Sequence, residues 1–398
     1  MSTNFDECIS ILSELIAFDT TSALSNLELI GFVEKYLKAA GVSSRLNHNA
    51  EGTKANLFAT IGPSTRGGIV LSGHTDVVPV AGQQWDTDPF QLERIQNRLY
   101  GRGTCDMKGF VAAVLAMTKY FCSLNLQTPI HFAFSYDEEV GCLGVRELLK
   151  DLKGAEISPS IVVVGEPTNL SLVSAHKGKC AMRTFVKGKE AHASQMKQGT
   201  NAIVIASEFV SAIGRVWERR RADSQENPFF DPEYTTYNVG VIKGGTALNI
   251  IPSDCEINWE LRPLPGDNPA DFLSELEEEV RKTVMPKFCE GAAEASIKTE
   301  TIYWTPPLKH RDNDAAQILM RTLTQENGTS AVSFGTEAGL YQEAGQSAII
   351  CGPGSIKNAH QPNEFIEIEQ LKNCLKMLEK IGRWSEKNTL DSLSIELP

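Results

Sequence analysis

PIHFAFSYDEEVG, residues 129–141, joins an apolar run to three consecutive acids. The run PIHFAF has the length and composition of a buried β-strand. Asp137, Glu138 and Glu139 follow at the point where that strand would end. Isolated charges in such a place are costly unless a positive charge lies among them. The stretch therefore predicts a sheet whose strand ends form a site for a cation.

Three other apolar runs are also followed by side chains that can bind metal. GGIVLSGHTD (67–76) reaches His74 and Asp76, and PSIVVVGEPT (159–168) reaches Glu166. QSAIICGPGSIKNAHQPNE (346–364) reaches His360 after a glycine-rich loop. Sites in open α/β sheets are assembled at the carboxyl ends of the strands. We therefore expect these side chains to converge, together with Asp106 from the loop YGRGTCDMKG (100–109).

The order of predicted elements indicates two domains, as the length of 398 residues suggests. Strands and helices alternate up to about residue 180, which is typical of an α/β sheet. The order then becomes β-α-β-β-α-β, the ferredoxin-like pattern. After it, helices and strands alternate again as they do before residue 180. We predict an α/β domain of residues 1–180 and 299–398, with a mixed, largely parallel sheet between helices. An α+β domain of residues 181–298 is inserted into it.

Composition narrows the class of protein. A formal charge of -12, a pI near 5.2 and the lack of a basic stripe argue against nucleic acid as a partner. The amphipathic start lacks the basic region of a signal peptide, and no apolar run approaches the ~20 residues that span a bilayer. Nine cysteines without a CxxC pair indicate reduced thiols. We expect a soluble cytoplasmic protein.

Each candidate ligand has a simple structural explanation when taken alone. A histidine at a strand end is commonly a hydrogen-bonded core residue, Asp106 could cap a helix, and Glu166 could belong to a turn. Taken together, imidazole and carboxylate groups at one sheet edge suit Zn²⁺, and Co²⁺ or Mn²⁺ less specifically. Five candidates overfill one catalytic zinc, whereas a shared carboxylate would give each of two ions three protein ligands. The five are His74, Asp106, Glu139, Glu166 and His360.

Two further acids have predicted roles beside the ligands. Asp76 is placed to accept a hydrogen bond from the ring N–H of His74. Because alternate residues of a strand face opposite ways, Glu139 can coordinate while Glu138 stays free to act as a base.

Seven short motifs, in order along the chain, resemble the co-catalytic zinc aminoacylase family. They are SGHTDVVP, YGRGTCDMKG, DEEVG, GEPT, EAHAS, GGTALNIIPS and GPGSIKNAHQPNE. The family includes acetylornithine deacetylase, succinyl-diaminopimelate desuccinylase and carboxypeptidase G, and the resemblance runs from about residue 10 to 385. GTEAGLYQEAG, followed by the last motif, is most similar to the acetylornithine deacetylase branch.

The resemblance implies a division of the ligands. His74, Asp106 and Glu166 would hold one zinc ion. Asp106 would also hold the second ion, together with Glu139 and His360. Glu138 would be the general acid/base. The resemblance also implies a cis peptide bond after Asp106.

The resemblance further implies roles for three residues of the inserted domain. His192 would reach the active site of the partner subunit and stabilise an oxyanion, although alone it reads as a surface histidine. Asn249 and Arg262, otherwise ordinary turn and strand-end residues, would meet the substrate, and Arg262 suits a carboxylate. Glu337 is a candidate contact for a cationic substrate side chain, with a loop acid facing water as the alternative.

The implied function is metal-dependent hydrolysis of an N-acyl-L-amino acid. The branch favours N2-acetyl-L-ornithine, giving L-ornithine and acetate in arginine biosynthesis. It also implies two Zn²⁺ per chain, replaceable by Co²⁺, and a homodimer through residues 181–298, which would act as a lid. Alternatives are a desuccinylase, a broader aminoacylase or dipeptidase, a catalytically silent homologue that binds metal and amino acid, and a cysteine hydrolase using Cys105 or Cys142.

Overall fold

A computed structural model describes residues 2–63, 67–288 and 295–393, and the chain divides into two compact units. The larger unit combines Met1–Ala175, Leu308–Ala331 and Thr336–Pro398. The smaller unit combines His176–Pro307 and Val332–Gly335.

The described residues form ten α-helices and seventeen β-strands. The helices are α1 (Ser2–Ala17), α2 (Leu27–Ala39), α3 (Lys108–Ala116), α4 (Thr118–Ser123), α5 (Leu143–Gly154), α6 (Ala202–Asp223), α7 (Pro269–Glu279), α8 (Ala315–Thr324), α9 (Ala338–Glu343) and α10 (Ile368–Lys387). The strands are β1 (Ser44–His48), β2 (Ala55–Ile61), β3 (Ile69–His74), β4 (Glu93–Ile95), β5 (Arg98–Tyr100), β6 (Ile130–Ser135), β7 (Ile161–Pro167), β8 (Val173–His176), β9 (Lys179–Lys187), β10 (Ala191–His192), β11 (Thr236–Gly244), β12 (Ile250–Ile251), β13 (Asp254–Arg262), β14 (Ser296–Thr305), β15 (Ser330–Val332), β16 (Ser347–Gly352) and β17 (Phe365–Glu367).

The larger unit is built on an eight-stranded sheet with the order β1-β2-β6-β3-β7-β16-β8-β15. Its four central strands, β6, β3, β7 and β16, run parallel, whereas β1, β2 and β8 pair antiparallel with their neighbours. Every residue of the four central strands is buried. This explains their continuous apolar runs, because parallel strands are covered by helices on both faces. The predicted mixed, largely parallel sheet with flanking helices is confirmed.

The register of the central strands brings their polar ends to one edge. His74, the last residue of β3, pairs with Ser135, the last residue of β6, just before the three acids. On the other side of β3, Ser72 pairs with Val164 of β7, two residues before Glu166. The predicted convergence of these side chains follows from that alignment.

The smaller unit contains an antiparallel sheet of order β11-β13-β9-β14, against which α6 packs, with α7 beside α6. The order confirms the predicted ferredoxin-like arrangement. The unit, however, begins at His176 and its main segment ends at Pro307. The predicted border at 298/299 cuts β14, which pairs with β9 along its whole length and so belongs to this sheet.

Each unit has its own hydrophobic core. In the larger one, α3 lies at the centre, with every residue buried, and packs on α1, α10 and β3. In the smaller one, α6 buries Ile205, Phe209 and Ile213 against the sheet. Among the helices of the described ranges, none combines the length and the apolar character needed to cross a membrane.

Candidate active site

Asp106 lies between two histidines at the carboxyl edge of the large sheet. Its Oδ1 is 3.0 Å from Nε2 of His74, and its Oδ2 is 3.4 Å from Nε2 of His360. His74 ends a fully buried strand, whereas His360 comes from the loop after β16 and has a half-exposed side chain. The peptide bond from Asp106 to Met107 is cis, as the resemblance implies. One carboxylate thus presents one oxygen to each imidazole.

Three glutamates complete the cluster. Both carboxylate oxygens of Glu139 lie 3.1 Å from Nε2 of His360, and Oε1 of Glu166 lies 3.8 Å from Nε2 of His74. Among the described residues, two groups have ligand atoms within 4.8 Å of one another: His74 with Asp106 and Glu139, and His74 with Glu138 and Glu166. All five predicted ligands, and Glu138 with them, are therefore brought to one place.

The three consecutive acids do not continue the strand, so the predicted alternation of their side chains is wrong. β6 ends at Ser135, and residues 138–141 form a turn in which the N–H of Gly141 donates to the carbonyl of Glu138 at 3.0 Å. Asp137 has a φ of 55° and pairs with the ammonium of Lys54, away from the histidines. It is the turn that points Glu138 and Glu139 into the cluster.

Asp76 holds that turn with its carboxylate. Oδ1 accepts the backbone N–H of Glu138 at 3.0 Å, and Oδ2 accepts that of Glu139 at 3.3 Å. Nδ1 of His74 is instead 2.9 Å from the backbone carbonyl oxygen of Asp76, with the carboxylate at 3.6 Å. The prediction that this carboxylate serves the ring N–H of His74 is corrected: the carbonyl does so, because the carboxylate is bound by the turn.

Burial and crowding set the protonation of the acids. Burial, with help from neighbouring carboxylates, raises the pKa of Glu138 to about 8. Burial also raises the pKa of Glu139, and it raises that of Glu166 well above its ordinary value. Burial opposes ionisation of Asp106 too, but its hydrogen bonds with both histidines hold its pKa below the usual range.

The histidines respond in the opposite sense. Burial alone would lower the pKa of His74, but Asp106 and Glu166 raise it well above its ordinary value. Hydrogen bonds with Asp106 and Glu139 raise the pKa of His360 to about 10. The cluster thus favours positive charge on its imidazoles, because several buried carboxylates surround them.

This donor set fits a divalent metal. Two imidazoles and four carboxylates are the ligand types that Zn²⁺ binds, and a metal ion would supply the positive charge that the buried acids lack. Asp106, with one oxygen toward each histidine, has the geometry of a carboxylate shared by two ions.

Glu337 is not a loop acid facing water. It is buried beneath the site, where Ser72 and Ser135 donate hydroxyl hydrogen bonds to its carboxylate. Ser72 lies in turn 3.0 Å from the hydroxyl of Tyr341. Burial raises the pKa of Glu337.

The other predicted substrate contacts belong to the smaller unit. β10 pairs with β12 so that His192 opposes Ile250, and the carbonyl of Asn249 accepts the N–H of Ala193 at 2.9 Å. His192 and Asn249 are therefore neighbours, and both are exposed. Arg262 pairs with Glu260 at 2.8 Å.

Sequence reasoning missed the support of the Asp106 loop. Arg102 and Glu364 form an ion pair at 2.7 Å in which both side chains are only 1% exposed. Both residues lie within motifs already quoted, YGRGTCDMKG and GPGSIKNAHQPNE. The sequence offered one signal for this pair: each motif contains a charged residue, Arg102 or Glu364, that has no predicted role as a metal ligand.

The two cysteines considered as nucleophiles are buried. Burial raises the pKa of Cys105 far above its ordinary value, and its thiol donates to the carbonyl of Ser355 at 3.2 Å. Sγ of Cys142 lies 3.4 Å from Oε1 of Glu138. Burial holds the Cys105 thiol in its neutral form, which is a poor nucleophile, so the structure does not favour a cysteine hydrolase that uses this residue.

Comparison with known proteins places this site in a family. Residues 70–383 match peptidase family M20/M25/M40. The chain belongs to this family. An acetylornithine deacetylase from Myxococcus xanthus is 37% identical over 383 residues, covering 94% of this chain and 96% of that protein.

Solved structures agree with the family at the level of the fold. An M20 family metallo-carboxypeptidase from Sulfolobus solfataricus has a TM-score of 0.76 at 18% identity, covering 96% of this chain and 99% of the other. A dinuclear metal-binding M20 peptidase from Bacillus subtilis has a TM-score of 0.66 at 14% identity, covering 96% and 98%. As a member of the M20 family with this site, the protein is a metal-dependent amidohydrolase.

Proposed function

We propose that the protein hydrolyses N2-acetyl-L-ornithine to L-ornithine and acetate, a step of arginine biosynthesis in the cytoplasm. The substrate is supported by the 37% identical relative that carries the name acetylornithine deacetylase. The chemistry is supported by one observation above all: a buried carboxylate, Asp106, lies between two histidines among three glutamates.

The proposed resident group is a pair of Zn²⁺ ions, which Co²⁺ could replace. His74, Asp106 and Glu166 would hold the first. Asp106, Glu139 and His360 would hold the second. When bound, such a pair would polarise the amide carbonyl and lower the pKa of water, so that the nucleophile hydroxide forms near neutral pH.

Glu138 moves the proton in this proposal. Its carboxylate takes a proton as the oxygen of water forms a bond to the acyl carbon. It returns that proton to the amide nitrogen as the C–N bond breaks, which leaves a free amine and a carboxylate. The metal-free pKa of about 8 shows that burial opposes the charged form, and a nearby cation would lower it again. A general acid/base has to take up and release a proton in each turnover, and a pKa near the working pH favours both steps.

The turn after β6 orients this group. Asp76 accepts the backbone N–H groups of Glu138 and Glu139, so one side chain fixes both the base and a ligand. The stabilisation of the oxyanion by His192 and the substrate contacts of Asn249, Arg262 and Glu337 rest on the motifs. The burial of Glu337 favours instead a supporting role beneath β3 and β6.

We also propose a homodimer through residues 181–298. β11 is an edge strand of the small sheet, and Val241 and Ile242 on it are 41% and 51% exposed. Leu248, shortly after β11, is fully exposed. Apolar side chains grouped on an unpaired edge are typical of an interface.

The test measures ornithine release from N2-acetyl-L-ornithine by zinc- or cobalt-loaded protein, with chelated protein beside it. Glu138→Gln should retain metal and lose about 10²- to 10⁴-fold in turnover, because the positioned base is gone. Asp137→Asn is the matched control: it removes a neighbouring acid that pairs with Lys54 and should have a much smaller effect.

Near-normal turnover by Glu138→Gln would contradict the role of this residue. Faster turnover of succinyl-diaminopimelate than of N2-acetyl-L-ornithine would move the substrate to the desuccinylase branch. A metal-loaded protein inactive on every N-acyl amino acid would refute the enzymatic proposal.

A further inference from the structure

The backbone that carries Asp106 is held by a buried carboxylate. Oε1 of Glu364 accepts the N–H groups of Cys105 at 2.9 Å and of Asp106 at 3.0 Å. Both bonds are made by one oxygen of a side chain that is 1% exposed. Hydrogen bonds to a charged acceptor are stronger than neutral ones. This oxygen therefore restrains two consecutive peptide units, those that contain the N–H groups of Cys105 and Asp106.

The other oxygen of Glu364 holds Arg102. The distance from Oε2 to Nη1 of Arg102 is 2.7 Å, and both side chains are almost fully buried. A buried ion pair contributes little net stability, because removing two charges from water offsets their attraction. Stability alone therefore does not explain why this ion pair lies next to Asp106. The other contacts of Arg102 point to a different role.

Arg102 continues the chain of contacts to His360. Its Nη2 donates to Oε1 of Gln83, and Nε2 of Gln83 donates to the backbone carbonyl of His360 at 2.9 Å. His360 has a φ of 61°, a left-handed conformation that is unfavourable for a residue with a Cβ. A hydrogen bond to its carbonyl helps to hold that conformation.

A single network therefore ends at two proposed ligands. Glu364 fixes the backbone of Asp106, Gln83 fixes that of His360, and Arg102 joins them. None of the three connecting side chains belongs to the ligand set.

We propose that Gln83, Arg102 and Glu364 are positioning residues that set Asp106 and His360 at the separation and orientation needed to bind metal. This inference rests on the proposed function, because it assumes that Asp106 serves both ions and His360 only one. Gln83→Leu should then weaken one of two metal equivalents. Glu364→Gln should weaken both.

The experiment titrates chelator-treated protein with Zn²⁺ in competition with a chromogenic chelator, so it does not depend on turnover. Loss of such outer contacts typically costs about 10- to 100-fold in metal affinity, and we expect that loss for one equivalent in Gln83→Leu. Co²⁺ titrations should show a changed visible spectrum for the same equivalent. Gln84→Leu is the matched control, since Gln84 is an exposed neighbour of the same type without a hydrogen bond in the described residues.

Gln83 is only partly buried, so its variant tests the inference even if Glu364→Gln fails to fold. Thermal unfolding of the metal-free Gln83→Leu protein establishes that the variant is folded at the temperature of the titration. If the unmodified protein binds two equivalents and Gln83→Leu binds both equally well, the positioning role is overturned while the proposed function stands. Equal losses in Gln83→Leu and Gln84→Leu would also overturn it. If the unmodified protein binds no metal, the proposed function falls together with this inference.

Discussion

At the level of single residues, the protonation of the two histidines of the site, His74 and His360, controls metal uptake. The pKa of His360 is raised to about 10, so its imidazole carries a proton at neutral pH when metal is absent, and the neighbouring carboxylates also raise the pKa of His74 well above its usual value. Only a neutral imidazole can bind a metal ion. Metal and protons therefore compete for the same nitrogen atoms.

Zinc binding is expected to release protons, and the zinc affinity should rise as the pH rises from about 6 to about 8. The raised pKa of His360 has a second effect in metal-free protein. The stabilisation that protonated His360 provides is fully present below its ordinary pKa of 6.5 and is lost as the pH rises through about 10. Calorimetric titration in buffers of different ionisation enthalpy measures the proton release. Proton uptake, or an affinity independent of pH, would contradict these protonation states.

At the level of elements, a buried lysine ties the start of α3 to the end of α1. Lys108 is fully buried, and its ammonium donates to the carbonyls of Leu15 at 2.9 Å and Phe18 at 2.8 Å. These oxygens lie at the end of α1, where helix carbonyls lack partners within the helix. Burial lowers the pKa of Lys108 to about 7. The lysine of the motif CDMKG thus binds a helix end.

Lys108→Met should lower the free energy of unfolding of the metal-free protein by about 1–3 kcal/mol, because two buried carbonyls lose their hydrogen-bond donor. Urea unfolding measures the change. Lys119→Met is the control: Lys119 also contacts α1, through Glu7 at 2.7 Å, but is 68% exposed. An exposed pair contributes at most about 1 kcal/mol. Equal losses in both variants would show that burial of Lys108 does not matter.

At the level of the whole molecule, the chain leaves the first unit at Ala175 and returns at Leu308. The smaller unit completes its sheet within this excursion. Its edge strand β11 carries the apolar residues on which the proposed dimer depends.

Ile242→Lys should convert a dimer to a monomer in sedimentation experiments, because a charge on the unpaired edge opposes association. Ile302→Lys is a matched control. Ile302 is 50% exposed, like Ile242 at 51%, but lies on the opposite edge strand β14 and outside residues 181–298. A monomer of 43.6 kDa for the unmodified protein would refute the dimer and remove the role of His192 across subunits.

Local patterns were sufficient for most of the architecture. β3, β6, β7 and β16 are continuous apolar runs because both of their faces are buried, so composition alone marks them. His74 and Glu166 could be placed at one edge because parallel strands end together. β1 and α5 were not predicted, since β1 has no buried residue and α5 buries only a narrow stripe.

Contacts between distant parts of the chain decided the rest. The turn at residues 138–141 depends on Asp76, the burial of Glu337 depends on serines of two strands, and Arg102 meets a partner 262 residues away. Neither periodicity nor spacing encodes such pairs, because each partner is polar and ordinary in its own segment. Strand ends determine which residues reach the site, whereas packing of the loops around them determines which atoms meet.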